Sequence, residues 1–477
     1  MENHGSIIRT ARDYGILLIM DDVKKPTALS RRLLFFTVIS LAWPTMLEMM
    51  LQTAVQYIDT AMVGSLGTAA TAAVGSTVTV NWLIGSTVSA VGTGFLAMIS
   101  QAMGASDEEK TRRICAQAIS AVLMVGSVFT VITVSLASFV PVWMQVEASL
   151  QALASRYFRI LYMPMLFRSA SMILGTVLRA ACDTKTPMKT GIRVNIINVV
   201  LNFLFIYDTR SILLFGRTLT LWGAGWGITG AAVASAVSFV YGGIAMTLAV
   251  WRHQAISPKG YSFRPDRKIL APCFRIAFPN MLQRFGTSLG YVAFAAMINA
   301  LGSVATAAHT VANTVESAFY VPGFGMQTAA ATLTGNAVGA GDDILRKETA
   351  RIVFGLETAM MLLSGGLLFS FAPGMVSIFI KDPAVILLCS TVLRMVACSE
   401  PFYGLSIVIE GMLQGAGKTL IPSAVNITGM WGIRIAGTFV CTRLLGMGLI
   451  SAWACMITHN MVLFVAFIIY YRKVKWV

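Results

Sequence analysis

Charge is scarce in this chain. Only 12% of its 477 residues are Asp, Glu, Lys or Arg, about half of what a soluble globular domain carries. Histidine is scarcer still, with four copies, no His-x-x-x-His pair and no spacing to an acid or cysteine that suits a metal. There is no glycine-rich phosphate loop and no convergent nucleophile set, so an integral-membrane enzyme finds no support. The seven cysteines (Cys115, Cys182, Cys273, Cys389, Cys398, Cys441, Cys455) are scattered without metal or redox spacing and read as small apolar residues. A signal peptide is lacking: Ile16–Met20 is a short apolar patch flanked by acids. Met20 is as good a start as Met1. The formal charge is +15, but no contiguous basic domain exists to bind nucleic acid.

What is abundant is apolar surface. Apolar residues make up 56% of the chain, and mean hydropathy is +0.73. Apolar stretches recur along the whole length, the pattern of a polytopic membrane protein.

The chain also repeats itself at a spacing of 235 positions. LAWPTMLEMM with Pro44 is matched by IAFPNMLQRF with Pro279. Leu66-Gly67 maps onto Leu301-Gly302, Gly104-Ala105 onto Gly339-Ala340, Asp107 onto Asp342, and Leu178, Ala181, Thr184 and Pro187 onto Leu413, Ala416, Thr419 and Pro422. Chance does not hold one register over half a chain. Two such halves in an apolar protein are the mark of a transporter whose site lies between the repeats.

Hydropathy divides the chain into twelve spans, six per half, at approximately 34–63, 70–102, 114–139, 148–176, 186–207, 224–250, 269–298, 305–337, 348–372, 384–412, 420–441 and 447–470. The expected fold is an all-α integral membrane protein of two pseudo-symmetric six-helix bundles. Its parts are a cytoplasmic N-terminal segment (1–34), an N-terminal bundle (35–250), a cytoplasmic linker (251–268), a C-terminal bundle (269–472) and a cytoplasmic tail (473–477). The connections on one face carry 24 Lys and Arg, while the other face carries four, Arg210, Arg217, Lys381 and Arg443. This asymmetry puts both termini in the cytoplasm, in a multi-pass protein of the plasma (inner) membrane. The bilayer and small organic molecules are the expected partners, and the protein is expected to be monomeric.

Ionisable and amide residues inside spans are functional candidates by default. Glu48, Gln52, Gln56 and Asp59 fall at intervals of four, four and three on one stripe of the first helix. The stripe is about 16 Å long at 1.5 Å per residue and is expected to line a wet cavity. Asp59 has no acidic counterpart, because the repeat puts Phe294 there, and it puts Gln283 at the position of Glu48. In the fifth span Asn195, Asn198 and Asn202 share a face; helix–helix hydrogen bonding and a role in a solvated cavity are both open readings. The C-half charges are Arg284, Glu316, Arg394, Glu400, Glu410 and Arg434, for which interhelical ion pairs are the expectation. His309 and His459 read as packing residues, and Arg156, Arg159 and Arg168 as snorkelling at the outer surface. Pro44 shares a helix with the acidic stripe and is expected to let it bend.

IDTAMVGSLGTAATAAVG, the GASD and GAGD endings, LRAACDTKTPM and VESAFYVPGFGMQTAAATLTGNAVGAG together resemble the MATE family of multidrug and toxic-compound extrusion transporters. The likeness covers about residues 35–470 and is most similar to the prokaryotic DNA-damage-inducible-type branch. It implies a cation-coupling aspartate at Asp59, a helix-bending proline at Pro44, an asparagine pair at Asn198 and Asn202 where some members have an aspartate, and a fourth-helix tyrosine at Tyr157. Another branch uses acids on helices seven and ten. Those positions hold Thr287 and Tyr403 here, which leaves Glu410, beside Glu316, as the candidate C-half acid. The resemblance implies a secondary antiporter that exports amphipathic, cationic organic compounds in exchange for protons or sodium, with no cofactor and no metal. A lipid-linked oligosaccharide or lipid flippase of the same superfamily is the alternative. It requires a row of cationic residues in the cavity, which Arg284 and Arg394 keep in view.

Overall fold

The computed structural model describes residues 28–214 and 217–476. Expectations about residues 1–27, including Arg9, Arg12, Lys24, Lys25 and the start site, lie outside the described residues. The chain is almost wholly helical. In the first half, α1 (Ala28–Gly64), α2 (Thr68–Gly104), α3 (Glu108–Leu136), a short α4 (Val140–Trp143), α5 (Ala148–Tyr162), α6 (Met165–Ala180), α7 (Lys185–Ile206) and α8 (Gly227–Arg252) follow in order. In the second, α9 (Arg267–Asn299), α10 (Ser303–Gly339), α11 (Asp343–Phe379), α12 (Pro383–Ala397), α13 (Glu400–Gly415), α14 (Leu420–Gly429), α15 (Ala436–Phe439) and α16 (Leu449–Lys473) do the same.

The sequence repeat reappears as a repeat of helix ends. Thr68–Gly104 displaced by 235 is Ser303–Gly339, Ala148–Tyr162 is Pro383–Ala397, and Met165–Ala180 is Glu400–Gly415. Local chemistry explains why the ends coincide. Gly67 and Gly302 precede α2 and α10 with φ of 105° and 103°, a left-handed backbone that favours glycine. The aspartates of the GASD and GAGD motifs are helix caps: Asp107 accepts from the Lys110 N–H at 2.9 Å, and Asp342 from the Leu345 N–H at 2.8 Å.

Among the described residues seven helices are long and apolar enough to cross a membrane. Two more crossings come from bent pairs, α5–α6 at 49° and α12–α13 at 54°. The fourth and tenth spans, expected as single helices, are therefore broken. Each second half starts next to a proline, Pro164 in one lobe and Pro401 in the other, which cannot donate a backbone hydrogen bond. Helices α9, α10 and the α14–α15 segment are the repeat partners of α1, α2 and α7 and complete twelve.

Two differences separate the halves. A β-hairpin, β1 (Asp208–Leu214) and β2 (Arg217–Ala224), lies between α7 and α8. It was not anticipated, and it lengthens this connection: Gly227 and Leu449, which open the sixth helix of each half, are separated by 222 rather than 235 positions. The second difference lies in the eleventh span. Its backbone passes into wide π-helical turns at Met430–Ile435 and Val440–Leu444; the α7 counterpart of the first is α-helical, and that of the second is where α7 ends at Ile206.

Each lobe has its own core. One gathers Phe95, Phe158, Tyr162, Met165 and Leu174, the other Phe294, Leu368, Leu393 and Trp453. The lobes meet along the ends that carry the basic clusters, and the contact is reciprocal. A Cβ at Gly104 would collide with the Asn336 backbone, and one at Gly339 with the Gln101 backbone. Gln101 and Asn336 are themselves repeat partners. Among the described residues, the hydrogen bonds between lobes cluster at this end: Gln101 Nε2 donates to Gly415 O (2.9 Å), Thr332 Oγ1 to Arg179 O (3.2 Å), and Arg31 pairs with Glu348 at 3.0 Å. The linker between α8 and α9 is strapped to α3. Gln117 donates to Arg264 O at 2.9 Å and accepts from the Asp266 N–H at 2.8 Å, and Arg113 reaches the Asp266 carboxylate at 2.6 Å.

Candidate functional site

Helix α1 runs unbroken through Pro44. Four residues on, Glu48 leaves the polar stripe's expected role. It is 6% exposed, and both its oxygens accept from Arg179 Nη2 of α6, at 2.9 and 2.8 Å. It is an interhelical ion-pair member rather than an open cavity acid. A carboxylate this buried needs a matched cation, and spacing along α1 could not reveal that α6 supplies one. Arg179, counted with the cytoplasmic connections, lies in the last turn of α6. Gln52 and Gln56 are exposed.

The stripe ends at Asp59, which turns into the first lobe against α7. Asn202 Nδ2 donates to Asp59 Oδ1 at 2.7 Å. The orientation of the Asn198 carboxamide follows from its surroundings. Turned so that both ends are satisfied, its Nδ2 lies 2.9 and 3.1 Å from the two Asp59 oxygens, and its Oδ1 accepts from Ser235 Oγ of α8 at 3.1 Å. Both asparagines are buried, Asn202 to 1% exposure. Asn202 Oδ1 is left without a donor. Asn195 is half-buried on the same helix and takes no part in these bonds. Tyr157 of α5 packs at the margin of the lobe core within electrostatic reach of Asp59. Ser235 was missed because a serine in the small-residue run GAAVASAVS reads as helix packing.

Asp59 thus has neutral amide donors and, among the described residues, no ion-pair partner. Arg168 does not snorkel as expected. Its Nη1 donates to Asn81 Oδ1 at 2.7 Å, the Tyr162 hydroxyl donates to the same oxygen at 2.8 Å, and the guanidinium lies 4.8 Å from the Phe239 ring centroid.

The second lobe fills the equivalent space differently. Phe294 replaces Asp59, and Arg434 lies 4.5 Å from its ring centroid and 4.9 Å from that of Tyr291. Arg434 sits in the first π-helical stretch, one residue past the repeat position of Asn198. A wide turn accommodates one extra residue per turn and so rotates Arg434 inward. The ion pairs expected among Arg284, Glu316, Arg394, Glu400, Glu410 and Arg434 are absent among the described residues. Glu410 is instead held by amides: Gln283 and Gln414 donate to it at 2.9 and 3.1 Å. Gln283 and Gln414 are the repeat partners of Glu48 and Arg179, so an ion pair in one lobe is an amide-bound carboxylate in the other. Arg394 donates to Phe369 O at 3.3 Å. Glu316 is buried on α10, within electrostatic reach of Arg434. Thr287 donates back to Gln283 O within α9, and Tyr403 packs edge-on to Tyr320. No group of His, Cys, Asp and Glu among the described residues has the geometry of a metal site.

Known proteins share this architecture. The chain is 25% identical over 92% of both lengths to "Probable multidrug resistance protein NorM" of Thermotoga maritima. A MATE protein solved in what its authors call the bent conformation superposes with a TM-score of 0.82 at 21% identity, over 93% of this chain and 95% of that one. An aspartate-to-asparagine variant of the Vibrio cholerae MATE transporter VcmN gives 0.83 at 18% identity, over 93% and 97%. The MatE family profile matches residues 44–204 and 279–440, one match in each repeat. With a twelve-helix, two-lobe fold and a profile match across most of both lobes, this chain belongs to the MatE family of membrane transporters.

Proposed function

We propose that the protein is a secondary antiporter that exports amphipathic cationic compounds across the plasma membrane, driven by protons or sodium at Asp59. The observation that carries this reading is the asymmetry of its partners. Asp59 accepts from neutral amides, while the other deep acid of α1, Glu48, is neutralised by Arg179. A carboxylate without a fixed counter-cation is free to take a mobile one. The oxygens of Asp59, Asn198 and Asn202 are hard donors suited to sodium, and the carboxylate serves a proton equally.

Coupling then follows from linkage. A cation bound at Asp59 favours one arrangement of α1 against α7 and weakens the binding of a cationic substrate, and its loss resets the site. The shift is limited by the difference in affinity between the two states, and inverting a 1:99 equilibrium takes about 5.5 kcal/mol. The ends closed by Gly104, Gly339 and the Arg31–Glu348 pair are cytoplasmic in this reading, so the structure is outward-facing. Relatives named for multidrug resistance support the export of varied drugs. The flippase alternative is less favoured, because Arg284 lies within electrostatic reach of Glu410 and Arg394 bonds a backbone carbonyl.

The test is dye efflux from cells or inverted vesicles with the proton and sodium gradients collapsed separately. Loss of efflux with one gradient identifies the driving ion. Efflux that survives collapse of both would remove the antiporter reading.

A further inference from the structure

Glu357 is a carboxylate in the middle of α11 that neither the repeat nor the Asp59 site explains. It is 0% exposed, and neither side-chain oxygen has a hydrogen-bond partner. Among the described residues it belongs to no ion pair. A lone ionised carboxylate is too costly in such surroundings, and the group adopts its neutral form instead. Its space is built rather than accidental. Two glycines from two other helices face it, and a Cβ at Gly323 of α10 or Gly404 of α13 would lie 2.9 or 2.7 Å from Glu357 Oε1. The second lobe has kept room for a carboxyl group where any side chain would fill it.

Glu357 is also connected. Glu400, at the start of α13 and one turn before Gly404, is 1% exposed, and its two oxygens are likewise unpartnered. It lies within electrostatic reach of both Glu357 and Glu316. Glu316 lies two turns before Gly323 on α10, and Arg434 lies beyond it. Of the titratable groups on the helices packed here, Glu400 of α13 is the one within electrostatic reach of Glu357, and Glu400 in turn reaches Glu316 and Tyr320 of α10 and Tyr403 of its own helix, with Arg434 as the cation beyond Glu316. Chains of acids inside a membrane protein mark proton relays.

We propose that the second lobe holds a proton site of its own at Glu357, reached through Glu316 and Glu400 and independent of Asp59. In the state described here α10, α11 and α13 close over Glu357, and the neutral acid keeps its proton. When α10 or α13 moves away, water or a basic group reaches the carboxyl group and the proton leaves. Packing of the three helices is thereby tied to one proton per cycle, beyond the cation handled by Asp59. This inference rests on the reading of the chain as an ion-coupled exporter.

The test is proton release from purified protein in weakly buffered detergent on addition of ethidium, read with a pH dye. Glu357→Gln has the shape of the protonated acid, so it preserves folding but cannot release a proton. The wild type is expected to release more protons per ethidium bound than Glu357→Gln, and Asp59→Asn is expected to retain the Glu357 share. Glu400→Gln, which interrupts the path, should slow that share, and it serves as the second variant if Glu357→Gln does not reach the membrane. A Glu357→Gln protein, or in its absence a Glu400→Gln protein, that releases protons like the wild type would overturn the inference while leaving Asp59 coupling intact. A wild type that binds ethidium without releasing any proton, with sodium absent, overturns both.

Discussion

Arg434 lies 4.5 Å from the ring centroid of Phe294, the residue that stands in the second lobe where Asp59 stands in the first. One lobe places a carboxylate among amides, and the other places a guanidinium against aromatic faces. Helix ends recur at a spacing of 235 in the two lobes, yet one interior holds a carboxylate and the other a guanidinium. In the proposed mechanism the two lobes are accordingly not interchangeable.

Asp59→Asn is expected to abolish gradient-driven efflux while the protein remains folded and in the membrane, because an amide cannot exchange a proton and binds sodium weakly. Asn202→Asp should be tolerated and shift the pH or sodium dependence. Phe294→Ala should cost about 3–5 kcal/mol of stability without removing coupling. Efflux assays beside expression and melting data separate these outcomes. Normal coupled transport by Asp59→Asn would move the coupling acid to Glu316 or Glu410.

The Glu48–Arg179 pair makes a stability prediction. Truncating one member leaves a buried charge and is expected to cost about 3–5 kcal/mol. Replacing both by glutamine copies the amides of the other lobe and should recover most of the loss. Thermal melts of the two single variants and the double variant in detergent measure this directly, and a double variant as unstable as either single one would contradict it.

Leucine at Gly104 or Gly339 should prevent the lobes from closing at their basic ends, since both glycines meet backbone there. Cysteines placed at nearby linker positions should become more reactive to a water-soluble maleimide applied from the cytoplasm, and efflux should fall. Unchanged labelling would mean that the close approach is not maintained in the membrane.

Orientation is tested by reporter fusions at Lys259 and at the C-terminus, both expected to report the cytoplasm. The linker adds a pH effect there. The Asp266 carboxyl is held below its usual range, first by the Lys268 backbone N–H and then by Arg113. A depressed carboxylate contributes its full stabilisation above its ordinary pKa and loses it progressively as pH falls from there through the lowered value. Proteolysis of the linker should therefore be flat from neutral pH to the ordinary carboxylate range and rise progressively as pH falls from that range through the lowered value. A rise that begins near neutral pH would place its cause elsewhere.

The amino-acid sequence by itself determined the twelve-span, two-repeat architecture. Hydropathy, the spacing of 235 and the capping residues act locally, and local chemistry is legible along one chain. It also singled out Asp59 and its asparagines, because their intervals of three and four residues define a helix face and the second repeat lacks the acid. What only the tertiary structure decided is which helix each face meets. Spacing could not show that Glu48 turns to Arg179 while Asp59 turns to Asn198 and Asn202, with Ser235 behind Asn198, although the acids share one stripe. Nor could it show that a wide turn brings Arg434 over Phe294. Glu357 is the plainest case: one acid in an apolar span carries no pattern, and its meaning comes from two glycines on other helices that leave it room. Partners across helices are set by packing in three dimensions, which periodicity along one helix does not encode.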